Sequence, residues 1–180
     1  MKHTISVLVE NKFGALARIA GLFSGRGFNI DSLTVSPTHD ETMSKMTIVT
    51  RGDDAVLEQI DKQLNKLVDV VKVTDLTGSG LVARELMLIK VKADPESRSE
   101  VLEMVSIFKA KVVHVHQHAL TLEVTGKSEK LDAFTELMEK FGIIEIARTG
   151  KVAFAQSEEA TEELDITPSY KRTDTEEEQG

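Results

Sequence analysis

The 180-residue sequence has no cysteine and no tryptophan, and only one tyrosine and three prolines. Without cysteine there is no disulfide, no thiolate metal ligand and no cysteine nucleophile. No apolar run approaches the roughly 20 residues that a membrane-spanning helix needs, and residues 1–7 lack a signal-peptide pattern. We therefore expect a cytoplasmic protein that does not span a membrane.

Negative charge is concentrated at the end of the chain. The net charge is −8, and the segment 156–180 holds nine acidic residues against two basic ones, a balance of −7. This acidic, aromatic-poor segment is expected to be a disordered tail whose simplest role is solubility. The remaining body is nearly neutral and poor in aromatic residues, so it offers neither the positive field nor the stacking surfaces that nucleic-acid binding needs.

Two segments of similar length repeat one pattern of alternating and helical periodicity. The first is predicted to contain helices around residues 16–23 and 56–67, with Asp53 as the N-cap of the second, and strands at 4–10, 28–35, 43–50 and 68–76. The second is predicted to contain helices around residues 101–108 and 131–141, and strands at 86–93, 111–115, 120–125 and 143–148.

Each segment thus has the order βαββαβ, and the linker Thr77-Gly78-Ser79-Gly80 separates them. We predict an α+β protein, a two-layer α/β sandwich of two tandem ferredoxin-like domains at residues 1–77 and 81–155, followed by the tail at 156–180. In such a domain both helices cover one face of the sheet. The other face needs a cover, which favours an oligomer.

The first strand-to-helix turn, residues 11–16, has the composition of a small-molecule site. Asn11 is expected to cap the turn, Gly14 lets the backbone approach a guest, and free N–H groups at the start of a helix suit a carboxylate. Asn29 is expected near the same corner, and Leu16 and Ile30 would favour a small aliphatic side chain. By pattern alone, a turn glycine with a capping asparagine is the simpler explanation of these residues.

A longer pattern resembles the signature of ACT domains, which are amino-acid-binding regulatory modules: Asn11-x-x-Gly14-x-Leu16-x-x-Ile19-x-x-x-Phe23-x-x-x-Gly27-x-Asn29-Ile30-x-x-Leu33. The similarity is closer still to the small regulatory subunits of acetolactate synthase, which carry three further landmarks: Arg26-Gly27-Phe28-Asn29-Ile30, Arg84-Glu85-Leu86 and Arg148-Thr149-Gly150. The resemblance covers residues 3 to about 155. The sequence departs from the family after Gly150, where an Arg-Gly pair is common, and in its long acidic tail.

This resemblance implies a regulatory subunit without catalytic activity, in branched-chain amino-acid biosynthesis. The family's small subunit binds valine, sometimes leucine or isoleucine, between the first domains of a homodimer, and it activates the large catalytic subunit as well as conferring feedback inhibition. That large subunit uses thiamine diphosphate, a divalent metal such as magnesium, and the flavin FAD, whereas no cofactor is expected in this chain. The matching effector-binding positions are Asn11, Gly14, Ala15, Leu16, Asn29 and Ile30.

Other interpretations compete with this one. A stand-alone ACT-type amino-acid sensor would act on another client protein, such as a transcription factor. His114, His116 and His118 alternate and are either an exposed polar turn or metal ligands. Lys90 and Lys92 lie on one strand face, which is either solvated or a contact with the catalytic subunit. No set of titratable residues converges in the manner of an independent enzyme.

Overall fold

The structure of the chain, a computed structural model, describes residues 1–78 and 80–156. The tail predicted to be disordered lies, beyond Gln156, outside the described residues. The described chain divides into two compact units, one of residues 1–82 with the described residues from Ala153 onward and the other of residues 83–152. Within residues 1–78 and 80–156, the helices lack the length and apolar character of a membrane-spanning segment.

The first unit has the predicted order of strands and helices. Its elements are β1 Lys2–Glu10, α1 Ala15–Gly25, β2 Ile30–Pro37, β3 Met43–Arg51, α2 Asp54–Leu64 and β4 Val70–Asp75. The four strands form an antiparallel sheet in the order β2-β3-β1-β4. Asp53 is the N-cap of α2, as predicted, because its carboxylate accepts the Val56 N–H at 2.9 Å.

Both helices of the first unit pack on one face of this sheet. Alternate residues of β1 point into the core, where Ile5 and Val7 are at most 1% exposed. They meet the apolar stripes of the two helices, whose fully buried members are Ile19, Phe23, Ile60 and Leu64. The apolar faces of the helices and of β1 therefore pack against each other in one core. The loops that connect β1, α1 and β2 lie at the two ends of the sheet.

A short strand, β9 Val152–Ala155, lies against the outer face of the first sheet. Ala153 is 1% exposed and its N–H donates to the Thr47 hydroxyl at 3.4 Å, while the ammonium of Lys45 lies 5.9 Å from the centre of the Phe154 ring. No strand was predicted for these residues. Part of the face that was expected to need a cover is thus covered by the chain itself.

The second unit repeats the plan with β5 Leu81–Lys92, α3 Arg98–Ile107, β6 Lys111–Val115, β7 Ala119–Gly126, α4 Ser128–Glu139 and β8 Ile143–Arg148. Its sheet has the order β6-β7-β5-β8, and β9 pairs with β5 outside that path. Met87, Ile89 and Val91 are fully buried against the helices, and Lys90 and Lys92 alternate on the other side of β5. The predicted fold class, two tandem ferredoxin-like units, is confirmed.

Candidate functional site

Gly14 determines the shape of the turn between β1 and α1. It is the residue before the first helical position, its φ is +82°, and no side chain accepts a hydrogen bond from the N–H groups that begin α1. A left-handed backbone of this kind favours glycine over every residue with a Cβ. The N–H of Ala15 donates to the carbonyl oxygen of Lys12 at 3.2 Å. The N–H groups of Leu16 and Ala17 have no acceptor inside the helix, so the turn offers donors suited to an anion.

Asn11 does not cap this helix, so the expected capping role is wrong. Its Nδ2 donates to the carbonyl oxygen of Glu41 at 2.9 Å, and its backbone N–H donates to the carbonyl oxygen of Thr42 at 2.6 Å. Both acceptors lie in the loop between β2 and β3. The side chain therefore joins the β1–α1 turn to the neighbouring loop at the same end of the sheet.

Asn29 and Ile30 lie at the opposite end of the sheet from Gly14, which corrects the expectation of one shared corner. Strand β2 pairs with β3 rather than with β1, and Ile30 is opposite Thr50, which is itself opposite His3 at the start of β1. Glu10 ends β1 seven positions further on, a separation of roughly 23 Å along an extended strand. The six predicted residues therefore fall into two groups within one chain.

The second group is organised by hydrogen bonds around Asn29. Nδ2 of Asn29 donates to a carboxylate oxygen of Asp31 at 2.8 Å, and the backbone carbonyl oxygen of Asn29 accepts from the hydroxyl of the buried Thr50 at 2.6 Å. Arg51 donates to the other oxygen of Asp31 at 2.6 Å. The pKa of Asp31 is below its usual value chiefly because of this Arg51 hydrogen bond. The amide of Asn29 is thus held in place although it is exposed.

The residues of the β1–α1 turn differ in what they offer a ligand. The Ala15 side chain is 4% exposed and packs in the core, so only its backbone is available. Leu16 is 41% exposed, and Phe13 is fully exposed at the tip of the turn. The turn therefore combines polar backbone groups with an uncovered apolar rim.

A charged pair that the sequence analysis missed lies over this turn. Nε and Nη2 of Arg18 are each 2.6 Å from Oδ2 of Asp69, whose side chain is 8% exposed. A Cβ placed on Gly14 would come within 3.0 Å of Nη1 of Arg18. The partners are 51 positions apart in sequence, so the only local signal was a cation one helical turn after the glycine.

The histidines do not assemble a metal site in the described part of the chain. The rings of His114 and His116 meet edge to face with centroids 4.3 Å apart, while His118 instead contacts Asp94, Nδ1 to Oδ1, at 2.8 Å. No group of three or more His, Cys, Asp or Glu side chains in residues 1–78 and 80–156 could hold a metal ion. Burial, followed by the charge of Lys90, lowers the pKa of His116, which favours the neutral ring.

Two of the sequence landmarks meet in the second unit. Arg148 donates from Nε and Nη2 to the two carboxylate oxygens of Glu85 at 2.7 and 2.9 Å, and the Ser128 hydroxyl donates to the same carboxylate at 3.0 Å. Burial by itself raises the pKa of Glu85, but these hydrogen bonds outweigh it and hold the pKa below its usual value. Thr149 and Leu86 exchange backbone and hydroxyl hydrogen bonds beside the pair.

A βαββαβ unit with a left-handed glycine after its first strand is the arrangement of an ACT-type regulatory domain, and a family model described as an AHAS small subunit-like ACT domain matches residues 5–72. A second model, described as the small subunit of acetolactate synthase, matches residues 84–157. The chain belongs to the acetolactate synthase small subunit family.

Individual relatives agree with this assignment. A probable acetolactate synthase small subunit of Archaeoglobus fulgidus is 56% identical over 156 residues, which cover 87% of this chain and 98% of the relative. The acetolactate synthase small subunit of Mycolicibacterium smegmatis is 51% identical over 154 residues, covering 86% and 91%. The crystal structure of the Thermotoga maritima acetolactate synthase small subunit superimposes with a TM-score of 0.81 at 42% identity, covering 87% and 98% of the two chains.

Proposed function

We propose that this chain is a non-catalytic regulatory subunit that binds valine or a related branched-chain amino acid and transmits its presence to a large catalytic subunit of acetolactate synthase. The partner would be activated by this chain and inhibited through it when the amino acid is bound. Thiamine diphosphate, magnesium and FAD would belong to that partner. The family membership supports the partner, and the geometry of the first unit supports the ligand.

The observation that carries the proposal is the separation of the six effector positions into two groups at opposite ends of one sheet. A branched-chain amino acid, which has eight or nine heavy atoms, cannot touch both groups of a single chain. A two-fold axis perpendicular to the strands of two first units, however, brings one end of one sheet beside the opposite end of the other. The pocket that we propose is therefore made by Asn11, Gly14, Ala15 and Leu16 of one copy and by Asn29 and Ile30 of the second.

The chemistry of the two groups suits the two ends of a zwitterion. The N–H groups of Leu16 and Ala17 at the start of α1 would take the carboxylate. Nδ2 of Asn11 and Nδ2 of Asn29 are both engaged within the chain, so each amide retains Oδ1 to accept a hydrogen bond from the ammonium group. Leu16 and the half-buried Ile30 would border the aliphatic side chain.

The absence of cysteine makes the shared pocket directly testable. In a Lys12→Cys/Asn29→Cys variant, the two thiols of one chain are too far apart for a short bis-maleimide to join, because the register separates the ends of β1 by roughly 23 Å. We expect the reagent to give a covalent dimer on a denaturing gel. Monomer alone, or a dimer equally abundant with a Lys62→Cys/Asn29→Cys control, would contradict the arrangement.

Regulation is tested with the full complex. The chain is combined with a large acetolactate synthase subunit, and acetolactate formation is followed with and without valine. Gly14→Asp and Asn29→His are each expected to abolish inhibition by valine while activation of the large subunit persists. Full valine sensitivity of both variants would refute the site. Failure to associate with any thiamine-dependent subunit would instead favour a stand-alone amino-acid sensor.

A further inference from the structure

The half-exposed guanidinium of Arg18 lies over Gly14 in the β1–α1 turn, outside the apolar core. The Arg18 side chain is 46% exposed, whereas its partner Asp69 is 8% exposed. The pair therefore presents its cationic end outward and keeps its anionic end inside. Nε and Nη2 are both directed to Oδ2 of Asp69, so the Nη1 edge is the one left for another acceptor.

Nη1 of Arg18 lies between two fixed features, the Asp69 carboxylate and the Gly14 backbone. Asp69 is fixed by its own backbone, since its carbonyl oxygen accepts the N–H of Glu10, the last residue of β1, at 2.8 Å. On the other side, Nη1 is 3.0 Å from the point that a Cβ of residue 14 would occupy. Gly14 thus serves two purposes, because it permits the left-handed backbone and it leaves the space beside the guanidinium open.

We infer that Arg18 recognises the carboxylate of the amino-acid effector, with Asp69 as the residue that positions it. The inference rests on the proposed amino-acid site and adds its charged group, which the six positions derived from the sequence lack. A guanidinium held by a buried carboxylate is an effective carboxylate receptor because its planar donors are already oriented. A neutral site of amides alone would leave the ligand's carboxylate without a cation.

The alternative role for Arg18 is a clamp that only joins α1 to the segment before β4. The two roles predict different responses to the ligand's functional groups. If Arg18 meets the carboxylate, its loss weakens the binding of valine and leaves the binding of valinamide, which has no carboxylate, unchanged. If it is only a clamp, both ligands lose affinity together.

The experiment is calorimetric titration of the full-length protein with L-valine and L-valinamide, for the wild type and for Arg18→Gln, Arg18→Lys and Asp69→Asn. We expect Arg18→Gln to weaken valine binding on the order of 10- to 100-fold, as for a lost charge-assisted hydrogen bond, with less than a twofold change for valinamide. Arg18→Lys should recover part of the loss. Asp69→Asn should show a smaller but equally carboxylate-specific loss, because the cation remains but is no longer held.

Lys62→Gln is the matched control, since it removes a cation from an exposed ion pair with Glu58 on α2 and should leave both affinities unchanged. Circular dichroism melts show whether each variant is folded. Unchanged valine affinity in Arg18→Gln, or an equal loss of affinity for valine and valinamide, would overturn the inference. The proposed function would still stand in that case, provided that the wild type binds valine. A wild type that binds no branched-chain amino acid would refute the proposed function and this inference with it.

Discussion

Arg148 and Glu85, 63 positions apart in sequence, form a two-point ion pair in which each carboxylate oxygen accepts one guanidinium hydrogen bond. The pair joins the end of β8 to β5, and Arg148 also contacts Asp132 of α4 at 2.6 Å. It accounts physically for two of the landmarks seen in the sequence, because each triplet contributes one side of the same contact.

Removal of the cation should strongly destabilise the protein. Arg148→Met leaves Glu85, which is 7% exposed, as a buried carboxylate without its counter-ion, and we expect a loss of about 3 kcal/mol in the free energy of unfolding. Urea denaturation measures the loss. The control, Lys111→Met, removes the exposed partner of Glu123 and should have little effect. Equal stabilities for the two variants would show that the Glu85 pair is not structurally important.

The same carboxyl group predicts a dependence of stability on pH. The pKa of Glu85 is lower in the folded chain than its ordinary value of 4.5. A lowered folded-state pKa contributes stability that is complete above the unfolded value and is lost as pH falls through the folded value. Unfolding free energies measured between pH 3 and pH 7 should therefore fall less steeply in acid for Glu85→Gln than for the wild type. Parallel curves would contradict the assignment.

Substitution by alanine should have opposite effects on the stability of the protein at Gly14 and at Gly21. Gly14→Ala forces a Cβ into a left-handed conformation, φ +82°, and against Nη1 of Arg18, so we expect a loss of about 1–2 kcal/mol together with weaker valine binding. Gly21 lies inside α1, where a Cβ would meet nothing within 4 Å. Gly21→Ala should stabilise the protein by about 0.5–1 kcal/mol. Thermal unfolding distinguishes the two, and a stabilised Gly14→Ala would refute the argument.

The exposed Phe13 ring predicts the location of the subunit contact. A fully exposed aromatic side chain beside the pocket that we propose two copies share should become buried when the copies associate. Phe13→Ser is expected to weaken self-association roughly tenfold, measured by sedimentation equilibrium, because a large apolar contact is lost. Ile107→Ser removes a 61% exposed side chain from α3 of the second unit and serves as the control. Equal dimer affinities for Phe13→Ser and the wild type would exclude this corner from the contact.

Most of the element order could be predicted because periodicity is a local property. The alternation in residues 4–10 and the stripe from Leu16 to Phe23 each mark one strand or helix, observed as β1 and α1. The errors are at positions where the pattern is weak. Strand β5 begins at Leu81 rather than at residue 86, and β9 was not predicted, because four residues are too few to show a period.

Residues that are close along the chain specify the repeated βαββαβ plan, the membership in a family and the turn at Gly14, so these could be recognised in the sequence. Packing between distant segments places Asn29 at the far end of the sheet from Gly14, and Arg18 over that glycine beside Asp69. Strand order and register depend on which strand edges form hydrogen bonds with each other. The alternation of apolar residues along one strand does not identify the strands that lie beside it. The burial of a charged pair likewise depends on packing between distant segments.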